Sequence, residues 1–280
     1  MANAVFESPR QLEDAYALMA DGLARPIAGA TDALVQADGD LDAAHARIVD
    51  LWQLEELRGI AQQGDTLVIG ALTTYTDIRR SPLIQETLPA LAAAASTIGA
   101  AQIQNRGTLG GNIANASPAG DTLPILLAAR ASIDLGGTRG ERSVSADAFW
   151  TGYRQTARQR DELILRVRFP ILDGHRVWFR KVGTRRAQAI SKVVMAAAWH
   201  PSTNGAWHDV RLALGSVAER PIRAIETERA IEGRRPSAAL ADQAAKVLIA
   251  EIRPIDDVRS TAAYRRAVAG GILHRLLSTT

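Results

Sequence analysis

T-L-G-G-N-I-A-N-A-S-P-A-G-D, residues 108–121, tells more about this chain than any other stretch of it. It is almost free of bulky side chains and ends where an apolar helix, beginning at Thr122-Leu-Pro-Ile, can start. A segment this bare lets backbone approach a ligand closely, and its N–H groups can cradle phosphate. The N-terminus of the following helix adds partial positive charge for an anion. The spacing matches neither common phosphate fingerprint. There is no G-x-x-x-x-G-K-[ST], because the loop holds no lysine, and no G-x-G-x-x-G. Taken alone, the segment reads either as a phosphate cradle or as a tight connection into a helix.

Composition narrows the field. The chain has 280 residues, enough for one large core or two modest domains. Hydrophobic residues make up 47% and charged residues 22%, the balance of a soluble globular protein. A net charge of +3, scattered along the chain, gives no footprint for nucleic acid. Arg185-Arg186 and Arg265-Arg266 read as solvated faces or salt-bridge partners. No run reaches the roughly 18 apolar residues of a membrane span. The first ten residues lack the order of a secretory signal, so a cytoplasmic location is expected. Cysteine is absent, which excludes disulfides, thiolate catalysis and a cysteine-ligated iron–sulfur cluster within this chain. His45, His175, His200, His208 and His274 show no metal-ligand spacing, and no metal is assigned.

The order of elements predicts an α+β chain. A helix follows Ser8-Pro9, read as N-cap and N1. Short strands at 25–29 and 48–51 flank a helix over 33–36, a β-α-β unit with a small parallel sheet. From Leu57 a second lobe begins, with a hairpin at Gly64-Asp65, helices capped at Thr76-Asp77 and Ser81-Pro82, a strand over 131–135, and an alternating strand over 162–169 that stops at Pro170. Past Pro170 the order becomes a three-stranded meander (177–182, 192–199, 210–214) and three helices (about 223–231, 237–251 and 261–277). That change marks a boundary near Asp173-Gly174. The domains expected are 1–172, with lobes 1–56 and 57–172, and 173–280.

Four motifs in order carry a resemblance: P-I-A-G-A-T-D (26–32), the segment 108–121, F-W-T-G-Y-R-Q-T (149–156) and F-R-K-V-G-T-R-R-A-Q-A-I-S-K (179–192). Together they resemble the FAD-binding subunit of the molybdenum hydroxylases, the family of xanthine dehydrogenase and aerobic carbon monoxide dehydrogenase. The third and fourth look most like the xanthine dehydrogenase branch. The resemblance implies a two-lobed, vanillyl-alcohol-oxidase-like (PCMH-type) FAD-binding domain. It also implies a C-terminal domain of the carbon monoxide dehydrogenase flavoprotein type, with a three-stranded antiparallel sheet and a helical bundle. FAD would lie between the lobes, bound non-covalently.

Carried over by residue, the resemblance gives one pyrophosphate loop of Ile27, Ala28, Gly29, Ala30, Thr31, Asp32 and Ala33. Thr108, Gly110, Gly111, Asn112, Ala114 and Asn115 would form the second. Asp121 would bind cofactor hydroxyls while also capping the following helix. Ile98 and Gly99 would lie near the cofactor, Leu163 and Ile164 near the adenine, and Lys181 at the flavin, where its charge would stabilise negative charge on the ring. Ala30 stands where many relatives carry a second glycine, and Gly29 is expected to take any left-handed position there. Phe149 and Tyr153 read as packing residues, and Lys192 as a weaker candidate. No catalytic residue is assigned.

The implied function is electron transfer. Substrate would be oxidised at a molybdopterin-binding subunit, and electrons would pass through a [2Fe–2S] subunit to this FAD and on to NAD⁺ or another acceptor. The alternatives are a self-sufficient flavin oxidase or dehydrogenase of the same two-lobed fold, and an assembly scaffold without flavin.

Overall fold

A computed structural model describes residues 5–36, 47–185 and 188–279. His45, Arg186 and the first four residues lie outside the described residues. The first lobe is a parallel three-stranded sheet, β1 (Val5–Glu7), β2 (Arg25–Ile27) and β3 (Arg47–Asp50), in the order β1-β3-β2. Helix α1 (Leu12–Met19) connects β1 to β2, and α2 (Ala33–Gln36) follows β2. Helix α1 starts later than Ser8-Pro9 predicts. Its N-cap is Gln11, with no side-chain bond, and Glu56 Oε1 accepts from the Leu12 amide at 2.7 Å instead. A distant carboxylate thus does the work of a local cap.

The second lobe is a five-stranded antiparallel sheet with helices on one face. Hairpin β4 (Ile60–Gln63) and β5 (Thr66–Gly70) turns at Gly64-Asp65, as the sequence predicts. Helices α3 (Tyr75–Arg80), α4 (Pro82–Thr87), α5 (Pro89–Ser96), α6 (Ala101–Arg106), α7 (Leu109–Asn115) and α8 (Leu123–Ala128) follow. The cap of α3 is Thr74, two residues before the predicted position, and Asp77 completes a reciprocal capping box with it. Ser81 caps α4 as expected, but Pro89 breaks the single long helix predicted there into α4 and α5. Strands β6 (Ser132–Gly137) and β7 (Gly140–Ser145), the short α9 (Ala146–Phe149), a small hairpin of β8 (Trp150–Gly152) and β9 (Gln155–Thr156), and β10 (Leu163–Pro170) complete the lobe. The sheet order is β4-β5-β10-β6-β7.

Strand β10 serves two cores. Leu163 and Leu165 pack with Ala15, Met19 and Leu54 of the first lobe, while Ile164, Val167 and Phe169 face the helices of the second. Strict alternation would not put Ile164 and Val167, three apart, in one core. A register shift between Ile164 and Arg166 supplies the extra residue.

The C-terminal part is an antiparallel sheet of β11 (Arg176–Val182), β12 (Val193–Pro201), β13 (Trp207–Gly215) and β14 (Ile222–Arg223) in that order, backed by α10 (Ile225–Ile231), α11 (Ala238–Glu251) and α12 (Ala262–Thr279). The meander gains a two-residue fourth strand that the sequence reading left out. Strand β12 reads as an unbroken apolar run because it is covered on both faces. Met195, Ala197 and Trp199 meet the C-terminal helices, whereas Ala196 and Ala198 join the core of the second lobe. The small residues let the sheet lie close against α5 and α8. No helix among the described residues is long and apolar enough to cross a membrane.

Arg211 on β13 ties this sheet to the second lobe. Its Nε donates to the Leu127 carbonyl at 2.9 Å, and its Nη2 lies 2.8 and 2.7 Å from the Asp147 carboxylate oxygens. The arginine side chain is buried and Asp147 is partly exposed, and the Leu127 carbonyl keeps a long bond from the Arg130 amide at 3.4 Å, so losing the arginine removes the short contacts that join the two parts. R211M is expected to destabilise the chain by about 2 kcal/mol in denaturant unfolding. A change below about 0.5 kcal/mol would show that the contact holds nothing together.

Candidate functional site

One cavity of about 970 Å³ lies where the two lobes and the C-terminal part meet. That is the upper end of the roughly 300–1,000 Å³ typical of ligand sites. All nineteen residues assigned from the sequence line it: Ile27 to Ala33, Ile98, Gly99, Thr108, Gly110, Gly111, Asn112, Ala114, Asn115, Asp121, Leu163, Ile164 and Lys181.

The first loop follows β2. Gly29 is not in the left-handed region; Ala30 takes that conformation itself, with φ +58°. The glycine is required for another reason. A Cβ on Gly29 would stand 1.7 Å from the Arg106 carbonyl oxygen, so two backbones touch where no side chain fits. Among the described residues, the backbone N–H groups of Gly29, Ala30 and Thr31 donate to no protein acceptor. Three free amides in a row, beside a left-handed residue on a cavity wall, form an anion-binding concavity. These residues therefore fit a diphosphate.

Residues 108–121 differ from the loop expected. Thr108 is the N-cap of α7, its Oγ1 accepting from the Gly111 amide at 3.1 Å. The neighbouring amides at the start of α7 are also used: Leu109 donates to Thr73 O, Gly110 to Ala71 O and Asn112 to Thr108 O. They do not form the open amide cradle read from the sequence. Gly110 is small because a Cβ there would meet Ala71 Cβ at 2.7 Å. What this segment offers a ligand is a flat wall of small residues with polar edges.

Asp121 does not cap α8; that position is Thr122, without a side-chain bond. Its carboxylate is instead gripped from the C-terminal part. Lys181 Nζ on β11 lies 2.6 Å from Oδ2, and the Ser191 hydroxyl donates to Oδ1. Lys181 also donates to the Thr97 carbonyl at 3.0 Å. Burial pushes the Asp121 carboxyl pKa up, and Lys181 and Ser191 pull it back. An ammonium has three donors, and an ionised carboxylate accepts about four bonds. Each partner therefore keeps capacity for a ligand. Asp32 is also raised by burial, with Arg154 opposing.

The sequence reading missed several cavity residues. Tyr153, read as packing, is 60% exposed and lines the cavity at the turn between β8 and β9, followed by Arg154 with φ +53°. Ser191 sits one residue before Lys192, which points elsewhere, over the Tyr264 ring. Tyr75, Arg158, Ser216 and Arg265 also reach the wall. Tyr153 and Ser191 lie inside the third and fourth motifs, which mark the segments but not these roles; the last four carry no local signal, because tertiary packing brings them there. Phe149 is fully buried, as expected.

Glu162 forms part of the wall. Arg142 Nε and Nη2 bond its two oxygens at 2.6 and 2.8 Å. That contact, more than any other, holds the Glu162 pKa below the usual glutamate value.

Residues 2–172 match the family described as the FAD binding domain in molybdopterin dehydrogenase, and residues 178–280 match the CO dehydrogenase flavoprotein C-terminal domain. The chain is 33% identical over 231 residues to the carbon monoxide dehydrogenase medium chain of Hydrogenophaga pseudoflava, covering 82% of this chain and 80% of that one. It is also 33% identical over 258 residues to the putative xanthine dehydrogenase FAD-binding subunit of Escherichia coli, covering 91% and 88%. Equal identity to both gives the family and leaves the branch undecided. A solved carbon monoxide dehydrogenase from Hydrogenophaga pseudoflava, lacking the Mo-pyranopterin moiety, superposes with a TM-score of 0.91 at 31% identity, covering 98% and 95% of the chains. Quinoline 2-oxidoreductase from Pseudomonas putida gives 0.91 at 27% identity, also covering 98% and 95%.

Two outcomes follow from this geometry. G29A is expected to displace the first loop and lower stability by about 2 kcal/mol, an overpacking cost. A30G, which relieves the left-handed alanine, should be neutral or stabilising by up to about 1 kcal/mol. Thermal unfolding of both variants checks this, and a well-tolerated G29A would contradict it. Because the folded Glu162 pKa is depressed, its contribution to stability is complete above the unfolded value of about 4.3 and is lost as pH falls through the lower folded value. R142Q should therefore move the acid-unfolding midpoint to higher pH. An unmoved midpoint in circular dichroism would refute the linkage.

Proposed function

The chain belongs to the FAD-binding subunits of the molybdenum hydroxylases, and on that premise we propose that it carries FAD between its lobes as the electron outlet of a multi-subunit oxidoreductase. Electrons would come from [2Fe–2S] clusters of an iron–sulfur subunit, after substrate oxidation at a molybdopterin-binding subunit, and leave to NAD⁺ or another acceptor. Bound FAD supplies the ability to exchange electrons singly or in pairs, which protein side chains lack. The chain itself has no cysteine to ligate iron, so any cysteine-ligated cluster has to sit on a partner. Cytoplasmic placement belongs to the same proposal.

One observation carries the reading. The free amides of Gly29, Ala30 and Thr31 and the buried Asp121–Lys181 pair line the same cavity. In this reading the amides hold the diphosphate. Asp121 accepts from cofactor hydroxyls, and Lys181 presents its remaining N–H to the ring. Leu163 and Ile164, both buried on β10, give the apolar floor for the adenine. Among the described residues, the cavity wall holds no His or Cys for a covalent link.

The test is expression with and without the partner genes. The full chain alone should take up FAD, turn yellow and unfold at a higher temperature. The complex purified through this chain should carry iron and molybdenum. D121N should weaken FAD binding about tenfold, the scale of one charge-assisted hydrogen bond. Substrate turnover by the isolated flavoprotein would favour the self-sufficient oxidase instead. A chain that stays colourless and gains no thermal protection would leave only the scaffold reading.

A further inference from the structure

Arg265 on α12 belongs to no cofactor motif, yet it is 4% exposed and lines the cavity. Its guanidinium is shared among separate segments. Nη1 donates to the Ser216 carbonyl at 2.7 Å and approaches the Lys192 carbonyl at 3.4 Å. Nη2 donates to Asp257 Oδ1 at 2.7 Å, and Nε is buried with no hydrogen-bond partner among the described residues.

Each contact leads towards the site. Ser216 is left-handed, with φ +65°, a conformation that persists in such a residue only where its surroundings over-determine it. Here they do: its amide donates to Pro118 O at 2.8 Å, its hydroxyl to Ser191 O at 2.9 Å, and its own carbonyl accepts from Arg265. Ser191 in turn donates its hydroxyl to Asp121, the partner of Lys181. An unbroken series of contacts thus runs from the last helix to the cofactor carboxylate. On the other side, the Asp257 carboxylate also accepts from the Arg259 and Ser260 amides at 2.9 and 3.0 Å. That pins the connection between α11 and α12, whose Ile255, Asp257 and Arg259 form cavity wall.

A buried guanidinium is a poor source of stability, because its desolvation offsets most of what its partners return. Its rigid fork of donors is well suited to holding several backbone segments in one geometry. We propose that Arg265 is a positioning residue for the flavin site, fixing the Ser216 turn and the Asp257 connection so that Asp121 and Lys181 meet the cofactor in register. The inference rests on the FAD reading above.

The test uses the full chain and the variants R265K and S216A. R265K keeps the charge but cannot hold all the segments at once, and S216A removes only the hydroxyl link to Ser191. Circular dichroism and thermal unfolding without FAD establish that each variant is folded. FAD titration, the visible spectrum of the bound flavin and its midpoint potential are then compared with those of the wild type. R265K is expected to raise the FAD dissociation constant about tenfold and to shift both spectrum and potential. S216A should shift them in the same direction with about a fivefold loss, the scale of one neutral hydrogen bond. If R265K does not fold, S216A decides alone. A folded variant that matches the wild type in affinity, spectrum and potential overturns the inference. A wild-type chain that binds no FAD overturns the functional reading instead, and this inference with it.

Discussion

The Arg106 carbonyl lies so close to Gly29 Cα that no side chain can stand between them, and the site depends on that contact. It presses the first-lobe loop against the end of α6 in the second lobe. Among the described residues, the amides of Gly29, Ala30 and Thr31 are left without protein acceptors at the cavity wall. Free amides at a wall carry a desolvation cost unless water or an anion meets them. The protein accepts that cost, together with a left-handed alanine, at one loop. Local strain of this kind is expected where a ligand completes the structure.

The second organising feature is ionic. Asp121 comes from the second lobe and Lys181 from the C-terminal sheet, and both side chains are more than nine-tenths buried. Such a pair contributes little net stability, because Coulomb attraction is spent against desolvation. Its value is geometric. It joins the C-terminal sheet to the second lobe at the cavity wall, and it leaves one ammonium donor and about two carboxylate acceptor positions unused. Arg211 clamps the same two bodies at another point, through Leu127 and Asp147. The alanine side of β12 allows the close approach that both contacts need.

Much of this was legible in the sequence. Turn and cap chemistry located the hairpin at Gly64-Asp65 and the start of α4 at Ser81, because those signals act over a few residues. The cap of α1 was not legible, since Glu56 supplies it from 44 residues away. The four motifs identified residues that the fold gathers around one cavity. Residues 108–121 differ in detail from the sequence expectation, because they open a helix capped by Thr108. Their glycines suggest open amides, but Gly110 is small so that α7 can pack on Ala71, and the amides of Leu109 to Asn112 bond within the protein. Composition cannot separate a glycine that admits a ligand from one that admits a neighbouring strand. Likewise, nothing local marks Ser216 or Arg265, and Ser191, although inside the fourth motif, shows its role only through the fold.

The most direct measurement is an experimental structure of the full chain with FAD bound. The account predicts diphosphate oxygens within hydrogen-bond distance of the Gly29, Ala30 and Thr31 amides, with Asp121 and Lys181 both contacting the cofactor. A diphosphate lying elsewhere in the cavity, with those three amides facing only water, would contradict it.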